Sequence, residues 1–242
     1  MIAAAKTQVE PGVYRQMPDA EYRAIDALSN SDLVAWAKGE QDKGIDPRNA
    51  LLGTSAHGII LEPDVALQKI VCLEPKQKRS SYEGPEGMWV HTHSEYATLM
   101  GCYQSAKAHP AFSQIIAHAR ANRDMCELVV VFPCPHTGIL RKSKLDMHTA
   151  KWLYDIKTTN SDPDSFKYSI VKFAYQVQAA TYLQAAEYAG LGVEGFRFAC
   201  MSKRKDKGNP CWIEDISDVL VIAGRQENER LMNLYSRYGA KQ

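Results

Sequence analysis

The chain has six cysteines, Cys72, Cys102, Cys126, Cys134, Cys200 and Cys211, but no C-x-x-C pair. Thiols scattered in this way fit a reducing compartment and exclude a disulfide framework, a zinc ribbon or a close-set cluster site. No apolar run approaches the length needed to span a bilayer. The opening Met-Ile-Ala-Ala-Ala-Lys is too short for the hydrophobic part of a secretory signal. A cytoplasmic protein with no membrane partner is therefore expected. Net charge is also nearly absent, at +1. A strongly basic balance would have pointed to nucleic acid. Its absence still allows a local basic groove whose charge an acidic site offsets. There are no repeats, no low-complexity segments and no evident linker. The 242 residues are thus expected to form one domain, with an irregular N-terminal arm over 1–28 and a core from about 48 to 216.

The informative stretch runs from Leu140 to Tyr182 and reads as strand, tight turn, strand, loop and helix. Asp146 is expected to end the first strand, and Asp155 and Lys157 to lie near the end of the second. Residues i and i+2 of a strand share a face, so Asp155 and Lys157 project together while Ile156 turns into the core. A hairpin would bring Asp146 to the same place. Crowded, buried carboxylates raise one another's pKa. A hard divalent cation relieves that cost: Mg²⁺ is commonly held by one or two carboxylates, waters and substrate phosphate oxygens. A lysine beside it could orient a water or stabilise charge on phosphorus. An Asp-x-Lys triplet alone is common on solvated strands and carries little by itself.

Its surroundings carry more. Pro11-Gly-Val-Tyr14, LSNSDL at 28–33, LGTSAHGIILEP at 52–63, TGIL at 137–140, Asp146, DIKTT at 155–159 and YQVQAATY at 175–182 occur in order across most of the chain. This pattern resembles the PD-(D/E)xK nuclease superfamily, within it the RecB-type branch, and most closely the C-terminal exonuclease domain of RecE, an exodeoxyribonuclease VIII-like phage enzyme. The resemblance implies an α/β fold, a mixed central sheet flanked by helices. It implies a metal-dependent deoxyribonuclease that degrades linear duplex DNA from its ends, 5′ to 3′, leaving 3′ single strands for recombination. Asp146 and Asp155 would bind Mg²⁺, with the Ile156 carbonyl and His57 as further ligands. Mn²⁺ would substitute, because imidazole suits it better. Lys157 would position or activate the water. Gln178 and Tyr182, one helical turn apart, would hold the DNA backbone or the active-site network, and Glu127 would support the metal site. A ring-shaped trimer or tetramer and a single-strand annealing partner also follow from the resemblance alone. The alternatives are a structure-specific endonuclease using the same residues and a non-catalytic DNA-end-binding protein.

The remaining segments are read from pattern. Ser29 or Asn30 caps a helix reaching about Lys38, and its N-terminus could instead meet a phosphate. Pro47–Leu61 is a helix ended by Glu62-Pro63. Residues 70–73 form a short strand. Lys76, Lys78, Arg79, Tyr82 and Trp89 make either a DNA-contacting loop or a solvated one. Helices span 92–109 and 110–121. Strands at 127–132 and 139–146 continue as a meander to Lys157, and Lys142 and Lys144 give one face of the middle strand a cationic character. A long helix or helix pair covers 163–188, and strands follow at 195–201 and 212–216. Between them Lys203, Arg204, Lys205 and Lys207 form a basic turn. Ser217 or Asp218 caps a last helix to about Tyr238.

Overall fold

The computed structural model describes residues 6–39 and 46–239; residues 1–5, the start of the expected arm, lie outside these, as do 40–45 and 240–242. In chain order the elements are β1 (Gly12–Tyr14), α1 (Asp19–Ala24), α2 (Asn30–Ala37), α3 (Pro47–Leu61), α4 (Pro63–Lys69), β2 (Ile70–Cys72), β3 (Trp89–His91), α5 (His93–Ala108), α6 (Pro110–Ala121), β4 (Cys126–Pro133), β5 (Leu140–His148), β6 (Trp152–Thr159), α7 (Pro163–Lys172), α8 (Tyr175–Tyr188), β7 (Gly195–Ser202), β8 (Cys211–Asp215) and α9 (Asp218–Tyr238). The fold is a mixed α/β one. A six-stranded sheet of order β1-β4-β5-β6-β7-β8 is flanked by helices, and β2 and β3 form a separate parallel pair. In the large sheet only β6 and β7 run parallel.

That one parallel pairing decides where the site lies. Parallel neighbours need a long crossover, and α7 and α8 supply it between β6 and β7. The crossover packs α8 against the sheet. Phe166, Ile170, Ala179 and Leu183 meet Leu128, Val130, Leu145, Leu153, Phe196 and Phe198 on that face. On the other face α3, α5 and α6 bury Ile59, Leu99, Phe112 and Ile115 against Met147, Tyr154, Ile156 and Met201. Asp46 and Pro47 start α3, Thr92 and Glu95 form a capping box on α5, and Ser217 caps α9, as N-terminal side-chain acceptors do. Among the described residues no helix is long and apolar enough to cross a membrane.

Three expectations are corrected. The segment before residue 28 is not irregular: Gly12–Tyr14 pairs with Tyr14 opposite Val129 as an edge strand, and α1 follows. Glu62-Pro63 ends α3 but also opens α4, because proline suits the first helical position. Strand β5 runs past Asp146 to His148. Of the two readings of 163–188, a long helix or a helix pair, the structure shows the pair, broken at Ala174, whose φ of +56° is left-handed.

His91 gives the fold a pH-dependent element. Its side chain is fully buried, with Nε2 2.8 Å from Ser55 Oγ. Burial lowers its pKa below the ordinary 6.5, outweighing the opposing pull of Glu95. A depressed histidine contributes stability above the unfolded-state pKa and loses it as pH falls towards the folded value. Stability relative to His91→Gln should therefore narrow as pH drops from 7.5 through 6.5 to 5, read from urea midpoints. A gap that widens would contradict the buried neutral imidazole.

Candidate active site

Strands β5 and β6 pair only at Met147–Tyr154 and His148–Leu153, then diverge. In the fork Asp146 Oδ2 accepts the Ile156 amide at 2.7 Å, where a ladder carbonyl would otherwise stand. The alternation of faces also breaks here. Leu128 and Leu145 face α8, whereas Cys126 and Met147 face α3, α5 and α6. The flanking pairs Cys126–Met147 and Leu128–Leu145 put Glu127 opposite Asp146 without a register slip. Glu127 has a φ of +50°, a conformation uncommon for a side-chain-bearing residue. The two strands thus twist over together at facing acidic residues, which turns Asp146 into the fork.

Asp155 and Lys157 share the β6 face towards α8. Lys157 Nζ lies 2.6 Å from Asp155 Oδ2 and donates to Gln178 Oε1 at 2.9 Å. Gln178 Nε2 in turn donates to Asp155 Oδ1 at 2.9 Å. The amide therefore braces both ends of the ion pair. His57 Nδ1 reaches Asp146 Oδ2 at 3.3 Å from α3. Tyr182 lines the same groove as Asp146. The structure thus brings together His57, Asp146, Asp155, Ile156, Lys157, Gln178 and Tyr182 from one helix, two strands and a second helix.

The electrostatics are those of a closed site. Burial, countered by His57 and reinforced by Asp155, raises the Asp146 carboxyl above its usual range. Burial pulls Lys157 down, but Asp155 and Tyr175 outweigh it and hold the ammonium above its ordinary pKa. Its neighbours therefore favour the charged form of Lys157. Burial, together with Asp155 and Asp146, pushes the Tyr182 phenol well up, so it keeps its proton.

The donor set fits a hard cation. Asp155 Oδ2 is buried without a well-angled hydrogen bond. Asp146 Oδ1 has no hydrogen-bond partner among the described residues, since both Ile156 and His57 meet Oδ2. Among the described residues no three His, Cys, Asp or Glu side chains group as a metal site. An ion would thus be held by no more than two of these side chains and would complete its shell with water or phosphate oxygens, which is the usual habit of Mg²⁺.

A groove of about 940 Å³ opens beside Asp146, walled by Met17, Tyr22, Gly53, His57, Trp89 and Glu127 among others. Its charges are largely paired, which differs from the local basic groove expected. Glu127 pairs with Lys144 at 3.2 Å, and Lys144 also reaches Asp19 on α1 at 2.9 Å. Glu127 therefore holds α1 through a lysine instead of turning to Asp155. Arg123 pairs with Glu62. Lys142 is spent as well: Nζ donates to the carbonyls of Tyr22, Arg23 and Ile25, capping the end of α1. The cationic face expected on β5 is thus a clamp on α1.

Most other sequence candidates fall outside the site. Arg79 donates to the Val90 carbonyl and pairs with Glu95 at 2.5 Å, which commits it to the fold, whereas Trp89, at the start of β3, packs on Gly58 and lines the groove beside Asp146. In the basic turn Arg204 pairs with Asp206 and Lys205 caps a carbonyl of Ser94. Ser29 is engaged in a capping box with Asp32. Two residues escaped the sequence reading. Tyr175 lies under Lys157 Nζ at 4.8 Å from its ring centroid; its place at the head of YQVQAATY was the available signal. Arg141 is fully buried, donating to Asn228 at 2.6 Å and Thr181 at 3.4 Å with no acidic partner among the described residues. Burial lowers its pKa to about 10. It ties β5 to α8 and α9, and nothing in the alternation of charged residues marked it as internal.

No protein-family model matches the chain, and no curated protein does. A solved structure does: the crystal structure of a protein from Eubacterium rectale, described as a "putative exonuclease". It is superposable with a TM-score of 0.65 and 13% identity, covering 95% of this chain and 89% of that one. At that identity the likeness establishes a shared fold.

Proposed function

We propose that this chain is a metal-dependent deoxyribonuclease of the PD-(D/E)xK type that degrades linear duplex DNA from its ends. The carrying observation is the fork between β5 and β6, where Asp146, Asp155 and Lys157 meet and Gln178 braces the ion pair. The likeness to a structure described as a nuclease supports the reading. So does the order of sequence motifs, which favours the RecE-like, phage-type branch. On that branch cleavage runs 5′ to 3′ and leaves 3′ single strands for an annealing partner. The active form is a trimeric or tetrameric ring in the cytoplasm.

The chain's residues divide the work of phosphodiester hydrolysis. Asp146 and Asp155, with the Ile156 carbonyl, would hold Mg²⁺ or Mn²⁺ while His57 steadies Asp146, and the ion would supply charge neutralisation at the phosphate and ease loss of a proton from water. Lys157, held charged, orients the attacking water or steadies the extra negative charge as the water oxygen bonds to phosphorus and the ester oxygen leaves. Gln178 fixes the Lys157 and Asp155 rotamers by donating to one and accepting from the other. Tyr182 keeps its proton and can donate to a phosphate oxygen. Glu127 supports the site indirectly, by fixing Lys144 and with it α1.

The test is digestion of a 5′-phosphorylated linear duplex beside a closed circular one, with Mg²⁺ and with chelator. Loss of the linear DNA alone, abolished by chelator, is the expected result. Cutting of the circle would replace the end-dependent reading with an endonuclease, and an inert protein would end the nuclease reading.

A further inference from the structure

Lys157 has a third neighbour that the chemistry above does not use. Asp155 Oδ2 and Gln178 Oε1 stand 2.6 and 2.9 Å from Nζ. The other contact is the ring of Tyr175, whose centroid is 4.8 Å from Nζ. An ammonium has three N–H donors. The carboxylate and the amide take two, and among the described residues no oxygen takes the last. An oxygen in place of the ring would bind that donor and leave none for a water or a phosphate. An aromatic face attracts the charge through its quadrupole without claiming the donor as a lone pair would. Lys142 shows the contrast. It too lies over a ring, that of Tyr22, but three backbone carbonyls take its donors and it has none to spare.

The local structure is built around the placing of this ring. Ala174, directly before it, has a φ of +56°, so α8 begins at Tyr175 only because a residue with a side chain takes up a strained conformation. Three further rings then fix the plane: the centroids of Phe166, Phe173 and Phe198 lie 6.1, 5.6 and 5.8 Å from that of Tyr175. Phe173 is 49% exposed, and this contact gives it a use. The Tyr175 hydroxyl makes no hydrogen bond among the described residues, so the fold engages the ring and not its polar tip.

We propose that Tyr175 is a positioning residue for Lys157: its ring face holds the ammonium beside Asp155 and leaves one N–H free for the reaction. This rests on the nuclease reading and deepens it by assigning what keeps the lysine in place.

The experiment varies the electronics of the ring at nearly constant size. Phenylalanines carrying successively more ring fluorines are placed at position 175, because fluorine drains the negative face on which a cation–ring contact depends. Digestion of a 5′-phosphorylated linear duplex with Mg²⁺ is then measured. Tyr175→Phe should keep kcat within about twofold, since the face is retained. Each added fluorine should lower kcat further, with KM and melting temperature unchanged. Tyr175→Leu should lose roughly tenfold to thirtyfold in kcat, the range of a desolvated cation–ring contact. A kcat that is flat across the fluorinated series overturns the proposal, and so does a loss that follows the melting temperature, which would describe packing alone. A second readout does not depend on cleavage. In protein labelled at lysine, the Lys157 side-chain proton signals, assigned by their loss in Lys157→Arg, should be displaced upfield by the ring and return in Tyr175→Leu. Signals that do not move overturn the contact. If the wild type digests linear duplex but the fluorinated series is flat, the positioning role fails and the nuclease reading stands. If the signals move but the wild type cleaves nothing, the cation–ring contact stands and the nuclease reading fails.

Discussion

Lys157→Ala is expected to lower cleavage of linear duplex DNA by about a hundredfold to a thousandfold, the loss seen when one preorganised donor to a developing charge is removed. The ammonium sits 2.6 Å from Asp155 and is held charged by it. Lys144, on the neighbouring strand, is committed to Asp19 and Glu127. Stability is expected to fall too. Asp155 is 2% exposed, and breaking a buried pair costs up to about 3–5 kcal/mol because it leaves a charge without its partner. Gln178 keeps its bond to Asp155 and offsets part of this. The stability loss supplies a second readout. Divalent cation should raise the urea midpoint of Lys157→Ala more than that of the wild type, since the vacated Asp155 oxygen becomes available and binding to the native state alone stabilises it. Activity within tenfold of the wild type, from a folded variant, would remove Lys157 from the mechanism.

Gly224→Ala is expected to destabilise the protein by about 2 kcal/mol, within the range for overpacking, and Gly224→Val by more. Helix propensity alone predicts the opposite, a gain of about 1 kcal/mol on replacing a mid-helix glycine. Geometry decides between them. A Cβ at Gly224 would stand 2.0 Å from the Gln176 carbonyl oxygen and 3.2 Å from Ala180 Cβ. Those atoms belong to α8, and its backbone cannot swing aside as a side-chain tip could. The helix must move as a unit, and it carries Gln178, which braces Lys157 and Asp155. Cleavage should therefore fall along with the thermal midpoint. A Gly224→Ala protein as stable as the wild type would mean that α8 and α9 do not approach this closely.

Much of the architecture was legible in the residues. The apolar run at Leu128–Phe132, the cap at Ser217, and proline at Pro47 and Pro110 mark their elements by local rules that tertiary contacts leave in place. The spacing of Asp155 and Lys157 placed them on one face because strand period is a property of the chain itself. Their meeting with Asp146 was legible as well, since a hairpin is a short-range structure.

Other features depend on contacts distant in sequence. Gly12–Tyr14 is only three residues long, too short to show a period, and becomes a strand because Val129–Val131 lies open beside it. The pairing of Gln178 with both Asp155 and Lys157 arises because β6 and β7 are parallel and force α8 across the sheet. Glu127 and Lys144 looked like parts of a metal site and a basic face, and were drawn instead to each other and to Asp19, more than a hundred residues away in the chain. Arg141 and Lys142 are adjacent and both cationic. The sheet sends one into a fully buried network and the other to a helix end. Residue type and spacing therefore determined which groups could do chemistry and which face they shared. Only the tertiary structure decided which charges stayed free, because a charge is committed by whichever partner the fold brings within reach.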